Sequence, residues 1–216
     1  MAGNTLSLSD VTAILREAAV QMQAKHVKEV RDLDAEIGDG DLGITVQKGF
    51  NAVQAFLDEH TGEGDLTSLL KEVGSVFSEA NPSTFSAFFA TAFRKAAASV
   101  REKTTIGPEE LCAMFEAAVG GIMKLGKAQT GDKTLLDALV PAAESVCTGA
   151  ESTDDVHALL KAAADAAEEG MNSTVGMISQ MGRARSFGER TRDVRDPGAT
   201  VVSLFLRETA NALENQ

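Results

Sequence analysis

Residues 33–43 read LDAEIGDGDLG and place Asp34, Asp39 and Asp41 beside three glycines. Crowded carboxylates repel one another, and glycine gives up both helix and strand propensity. Either a solvated turn or a divalent cation accounts for such a cluster. Carboxylates are hard oxygen ligands, and Mg²⁺ takes a few of them while keeping positions for water or phosphate oxygens. The spacing is not that of a calcium EF-hand.

Two further segments carry chemistry of a related kind. In GKAQTGDKTLLD, Gly131, Asp132, Lys133 and Thr134 resemble a phosphate loop faintly, but the Walker A spacing is absent and no strand precedes them. In MGRARSFGERTRDVRDPGAT, Arg183, Arg185, Arg190, Arg192 and Arg195 gather in an otherwise acidic chain. Guanidinium groups suit phosphate oxygens, although a charge run is also an ordinary solvated surface. Asp196 either faces a ligand or only caps the helix that follows. His26, His60 and His157 lack partners at ligand spacing and read as incidental. No nucleophile is evident. Acids, glycines and arginines without a nucleophile are what a metal–nucleotide holder needs, because phosphoryl transfer depends on positioning and charge neutralisation.

Helices must position these segments. The i, i+3, i+4 stripe Val11, Ile14, Leu15, Ala18, Ala19 and Met22 predicts a first helix, capped by Ser9. Others are expected from Ile44 to Leu57, Thr67 to Phe77, the Ala/Phe-rich run up to Lys103, Pro108 to Gly126, Leu135 to Cys147, Thr153 to Ser179, and Thr200 to Leu213. The HTGEGD stretch at 60–65 closes the second of these, and Pro141 should bend the one that contains it. That makes about eight helices and no convincing strand. Their interruptions fall at 34–43, 79–86, 126–137 and 182–198, and alternate loops of an up-and-down array lie at the same end. The charged loops are therefore expected on one rim.

The 216 residues carry 20 Lys+Arg against 32 Asp+Glu, a formal charge of −12 that disfavours nucleic acid as a partner. The length suits one domain over 1–216, and 44% hydrophobic residues suffice for a core. Cys112 and Cys147 sit among apolar residues and read as small core side chains in a reducing compartment. Without a signal-peptide pattern or a membrane-length apolar run, a cytoplasmic location is expected.

Taken together, LDAEIGDGDLG, GKAQTGDKTLLDALVPAAES and GRARSFGERTRDVRDPGAT resemble, in order, the signature regions of the nucleotide-binding L subunit of dihydroxyacetone kinases. The likeness covers nearly the whole chain. It implies an all-α, antiparallel up-and-down eight-helix barrel with the nucleotide at one rim. It also implies two Mg²⁺ ions on Asp34, Asp39 and Asp41, bridging the phosphates of ADP or ATP. Leu42, Gly43, Ile44, Thr45, Thr84 and Phe85 would then contact the nucleotide, Gly126 and Leu135 would border the base, and Arg183, Arg195, Asp196 and Pro197 would complete the pocket. The catalytic histidine of such kinases lies on a separate K subunit that binds the ketone, so none is expected here. In one branch a phosphohistidine carrier of the phosphotransferase system recharges bound ADP; in the other, ATP exchanges. A free-standing chain of this length fits the separate-subunit arrangement.

The chain departs from the family twice. Leu42 stands where a histidine is usual, which removes a polar contact. Pro82–Ser86 stands where the family has Gly-Gly-Ala-Ser-Gly, so bare backbone gives way to hydroxyls of Ser83, Thr84 and Ser86 as replacement donors. That second change favours an alternative function, a binding or regulatory module that keeps the fold and metals without transferring phosphate.

Overall fold

The computed structural model describes residues 5–60 and 64–215. The expected first stripe is buried along α1 (Leu8–Gln21), but the helix starts earlier than Ser9. Ser7 is the N-cap, in a reciprocal capping box with Asp10. The chain then passes through a π-helical turn, Met22–His26, straight into α2 (Val27–Ile37). Asp34 is therefore helical, and only 38–40 separate α2 from α3 (Asp41–Glu59), a far shorter break than the expected 34–43. A π turn adds a residue without ending the rod, so it leaves no glycine or proline signature.

The rest follows as α4 (Leu66–Ala80), α5 (Thr84–Ser99), α6 (Pro108–Gly126, with Pro108 at its start), α7 (Leu136–Ala150, with Pro141 inside), α8 (Val156–Ser173) and α9 (Pro197–Glu214). The HTGEGD stretch reaches into 61–63, outside the described residues. Two short strands that periodicity missed, β1 (Leu6–Ser7) and β2 (Thr105–Ile106), pair antiparallel with Leu6 opposite Ile106. Strands of two residues are too short to show alternation. α8 stops at Ser173 rather than Ser179, because Thr174–Met177 turn there and Gly176 adopts φ +95°.

The chain is all-α. From α2 onward each helix packs on the next in chain order, α1 packs on α3, and α9 returns to pack on α1, the neighbour order of an up-and-down array in which α1 and α2 form one rod. The interior is led by Phe50, Phe77, Phe89, Phe93 and Phe205, with Phe77 and Phe89 stacked at 4.0 Å and Phe50 edge-on to Phe77 at 5.1 Å. These rings join α3, α4, α5 and α9. Among the described residues no helix is long and apolar enough to cross a membrane.

Two sequence expectations fail inside this framework. Cys112 and Cys147 are joined by a disulfide rather than lying free. Cys112 is near the start of α6 and Cys147 near the end of α7, so antiparallel packing sets side by side residues that are 35 apart in sequence. His26 is not incidental, since it packs against α9 with Nε2 2.8 Å from Glu208 Oε1.

One tight approach near the charged rim is between α2 and α3. A Cβ on Gly43 would lie 2.4 Å from Arg31 Cβ and 2.8 Å from its Cα. Gly43→Ala should therefore force the helices apart and destabilise the fold by about 1–3 kcal/mol, read by urea unfolding. An unchanged unfolding midpoint would contradict the packing described.

Candidate functional site

The aspartate cluster is a corner between two helices. Asp34 sits in the last turn of α2 and Asp41 opens α3. Between them Gly40 takes a left-handed φ of +75°, which a side chain would resist. A Cβ at Gly38 would come within 2.6 Å of Asp34 Oδ1, so glycine there leaves room for the carboxylate. Asp34 Oδ2 accepts the Leu42 N–H at 3.1 Å, and Asp39 Oδ1 accepts the Asp41 N–H at 3.3 Å. Across the corner the Arg183 guanidinium pairs with Asp39 and also approaches Asp41 Oδ2 at 3.7 Å. A cation thus already stands against two of the three carboxylates. The donor set, three carboxylates bordering one cleft, fits a hard divalent ion such as Mg²⁺.

Beside this corner lies the start of α5, with Thr45 beneath it. Ser83 and Ser86 form a capping box: Ser83 Oγ accepts the Ser86 N–H at 3.1 Å, and Ser86 Oγ accepts the Ser83 N–H at 2.7 Å. Ser86 is buried. Ser86 also donates its hydroxyl to the Asn81 carbonyl at 2.8 Å and so is spent inside the turn, whereas Ser83 borders the cleft. The exposed Thr84 hydroxyl remains, with the Thr84 and Phe85 N–H groups that a helix start leaves without intrahelical acceptors. The buried Thr45 hydroxyl is likewise internal, accepting from Asn81 Nδ2 at 2.9 Å.

The other end of the cleft is apolar. Gly126 closes α6 against the Phe88 ring, which a Cβ would meet at 2.9 Å. Leu135 is buried in a cluster with Ile122, Leu136 and Leu139, while Ile44 and Leu125 remain 42% and 52% exposed at the rim. Lys133 borders this opening, but does not present its charge there as a phosphate-loop lysine would. Its ammonium is turned onto backbone carbonyls of 174–194.

The arginine-rich segment divides. Arg183 faces the acidic corner, Arg190 lies over the Phe187 ring, and Arg192 pairs with Glu189. Arg195 binds Glu29 at 3.0 Å and is not among the residues lining the cleft; nor is Gly43. Asp196 does line it, while also capping α9: its Oδ1 accepts the Ala199 N–H at 2.7 Å. Pro197 follows as the first helical residue.

Burial pushes the Asp196 carboxyl up to about 7, against the Ala199 hydrogen bond, which lowers it. In the unfolded chain this group ionises near its ordinary value of 3.8. Between those values the folded state binds the extra proton, so stability from Asp196 falls as pH rises through the window. Asp196→Asn keeps a capping oxygen without the charge. Its ligand-free melting temperature should exceed wild type at pH 8 by an amount worth on the order of a few kcal/mol, and converge with it near pH 4. A constant difference across that range would contradict the burial argument.

The four interruptions thus meet in one cleft of about 1050 Å³, bordered by Asp34, Asp39, Asp41, Thr84, Leu135 and Arg183 among others. Leu42, Ile44, Thr45, Phe85, Gly126, Asp196 and Pro197 border it too. Sequence reasoning missed Lys48, which also lines it. The signal was available, because Asp41, Ile44, Thr45 and Lys48 share one face of α3 at i, i+3, i+4 and i+7. An acidic end beside an apolar end suits a ligand with a flat apolar part and an anionic part whose charge a divalent cation links to the carboxylates.

Known proteins resemble this chain in sequence and fold. The DAK2 domain profile matches residues 36–211. The chain is 35% identical over 180 residues to the ADP-binding subunit DhaL of the PEP-dependent dihydroxyacetone kinase of Escherichia coli K12, covering 83% of this chain and 85% of that one. A second DhaL subunit, from Listeria innocua, is 36% identical over 168 residues, 77% of each chain. The D-erythrulose kinase of Mycolicibacterium smegmatis is 28% identical, and this chain spans 34% of its length. Among solved structures, the dihydroxyacetone kinase of C. freundii in its native form superposes with a TM-score of 0.73 at 21% identity, over 98% of this chain and 36% of that one. Its complex with AMP-PNP and Mg²⁺ gives 0.69. At that identity the structural likeness is one of fold, whereas the profile and the DhaL subunits carry kinship across most of the sequence, and on that ground the chain belongs to the DAK2 domain family of dihydroxyacetone kinase subunits.

Proposed function

We propose that the chain is a single L-type domain that holds Mg-nucleotide for a small-ketose kinase and works with a separate K-type subunit that binds the ketone. The observation that carries this reading is the juxtaposition, in one cleft, of three carboxylates with an apolar slot, in a chain similar to ADP-binding subunits. The base of ADP or ATP would lie against Ile44, Leu125 and Leu135, and the phosphates would point to the acidic corner. Asp34, Asp39 and Asp41 would hold two Mg²⁺ ions, which offset phosphate charge that the carboxylates alone would repel. Thr84, through its hydroxyl and N–H, and the Phe85 N–H would donate to phosphate oxygens at the positive end of α5. Arg183 and Lys48 would add positive charge at the same end.

In the transfer itself, a phosphorus–oxygen bond to ADP breaks and one to the ketone's hydroxyl oxygen forms. The hydroxyl proton leaves to a base on the K-type subunit. The donor is either exchanging ATP or a phosphohistidine carrier that recharges bound ADP. A cytoplasmic setting matches both donors.

The capping box of Ser83 and Ser86 favours a second reading. With Pro82 and two engaged hydroxyls, this turn offers phosphate fewer groups than an open glycine loop, as in a module that binds nucleotide without transferring it. Mixing the chain with a K-type subunit, dihydroxyacetone and ATP or a phosphohistidine donor separates the two. Dihydroxyacetone phosphate should form only in the complete mixture. Product from this chain alone would contradict the partner requirement, and nucleotide binding without product in any mixture would establish the second reading.

A further inference from the structure

Lys133 is 2% exposed and takes a left-handed φ of +59°, a conformation more usual for glycine or asparagine. Lysine is retained there by what its side chain reaches. Its Nζ lies 2.8 Å from the carbonyl oxygen of Thr174, 3.1 Å from Met177, 2.5 Å from Thr191 and 2.6 Å from Val194. These carbonyls belong to the two ends of one segment, which leaves α8, crosses the mouth of the cleft with Arg183, runs through a 3-10 stretch (Ala184–Thr191) kinked at Gly188, and returns to Asp196. Thr174 O and Thr191 O also accept long turn bonds from the Met177 and Val194 N–H groups, at 3.2 and 3.3 Å, and three ammonium protons shared among the four oxygens supply the remaining donors that buried carbonyls need. Burial pushes the Lys133 pKa down, while the Asp196, Asp193 and Asp137 carboxylates act the other way. Neighbouring bonds close the same base: Gly176 N–H to Arg192 O at 2.8 Å, and Ser179 N–H to Thr191 Oγ1 at 3.0 Å.

We propose that Lys133 is a positioning residue whose buried ammonium ties the two ends of the 174–194 strap together and so sets Arg183 and Asp196 at the mouth of the cleft. Its functional consequence rests on the Mg-nucleotide reading; the tie itself does not. Lys133 borders the cleft, but its ammonium, the only polar group of the side chain, is spent on the strap and not on a ligand. Its effect on binding is therefore indirect, unlike that of a phosphate-loop lysine.

Lys133→Ala removes the ammonium and leaves a channel that n-propylammonium matches in length and charge. Two measurements read the result: hydrogen exchange of the strap amides without ligand, and Mg-ADP affinity by calorimetry. In the variant, strap amides should exchange faster and Mg-ADP affinity should fall about tenfold or more, the scale of lost hydrogen bonds to a charged group. Added n-propylammonium should restore both, and tetramethylammonium, which has no N–H, neither. Lys133→Met fills the channel, and should show the same losses without rescue. It also serves if the alanine variant does not fold. Wild-type exchange and affinity in either variant would overturn the proposal, as would losses in Lys133→Ala that the amine cannot reverse. If wild type itself fails to bind Mg-ADP, the nucleotide reading falls while the exchange measurement still decides the tie.

Discussion

Asp39→Asn is expected to lower Mg-nucleotide affinity by about a hundredfold or more, roughly 3 kcal/mol, while leaving the fold intact. Asp39 lies at the turn between α2 and α3, is exposed, and makes one weak backbone contact, from the Asp41 N–H at 3.3 Å. Asparagine can keep that contact. What it loses is a hard oxygen ligand for a metal ion and the charge that pairs with Arg183, a solvent-exposed pair that adds little to the fold. Without metal, removing one of three crowded carboxylates relieves repulsion, so the melting temperature should hold or rise slightly. A variant that binds Mg-nucleotide like wild type would remove Asp39 from the metal set.

Arg183→Gln should shift two affinities in opposite directions. In the ligand-free chain Arg183 pairs with Asp39 and approaches Asp41, so it competes with any cation for the same carboxylates. Without it, Mn²⁺ or Mg²⁺ alone should bind more tightly, by a modest factor because the pair is solvent-exposed. With nucleotide present, the same change removes a guanidinium from the phosphate end, and affinity should fall by about tenfold to a hundredfold. Manganese titration followed by paramagnetic resonance, with and without ADP, reads both. A fall in bare-metal affinity would mean that Arg183 supports the ion rather than standing in for it.

Much of the site was legible because its chemistry is local. Asp34, Asp39 and Asp41 lie within eight residues, and their glycines announce a tight corner. The convergence of the four interruptions followed from helix length and alternation, since same-end loops meet when rods of about 25–30 Å stand side by side. What escaped was set by contacts distant in sequence or by local geometry that leaves no compositional trace. The π turn at Met22–His26 hid the continuity of α1 and α2. The Cys112–Cys147 disulfide depends on the packing of α6 against α7. The faint phosphate-loop likeness of GDKT says nothing of where the Lys133 ammonium goes, and only the path of residues 174–194 shows it. Ser86 is held inside its turn because a serine three residues after another, at a helix start, is also a capping pattern.

The most direct test of the central claim is a calorimetric titration of ADP into the purified chain, once with Mg²⁺ and once with EDTA in its place. Three carboxylates beside the phosphate end should make bare ADP unwelcome, so binding should appear with Mg²⁺ and vanish, or weaken at least a hundredfold, with chelator. Equal affinity in the two titrations would contradict the account, because the acidic corner would then have no part in holding the nucleotide.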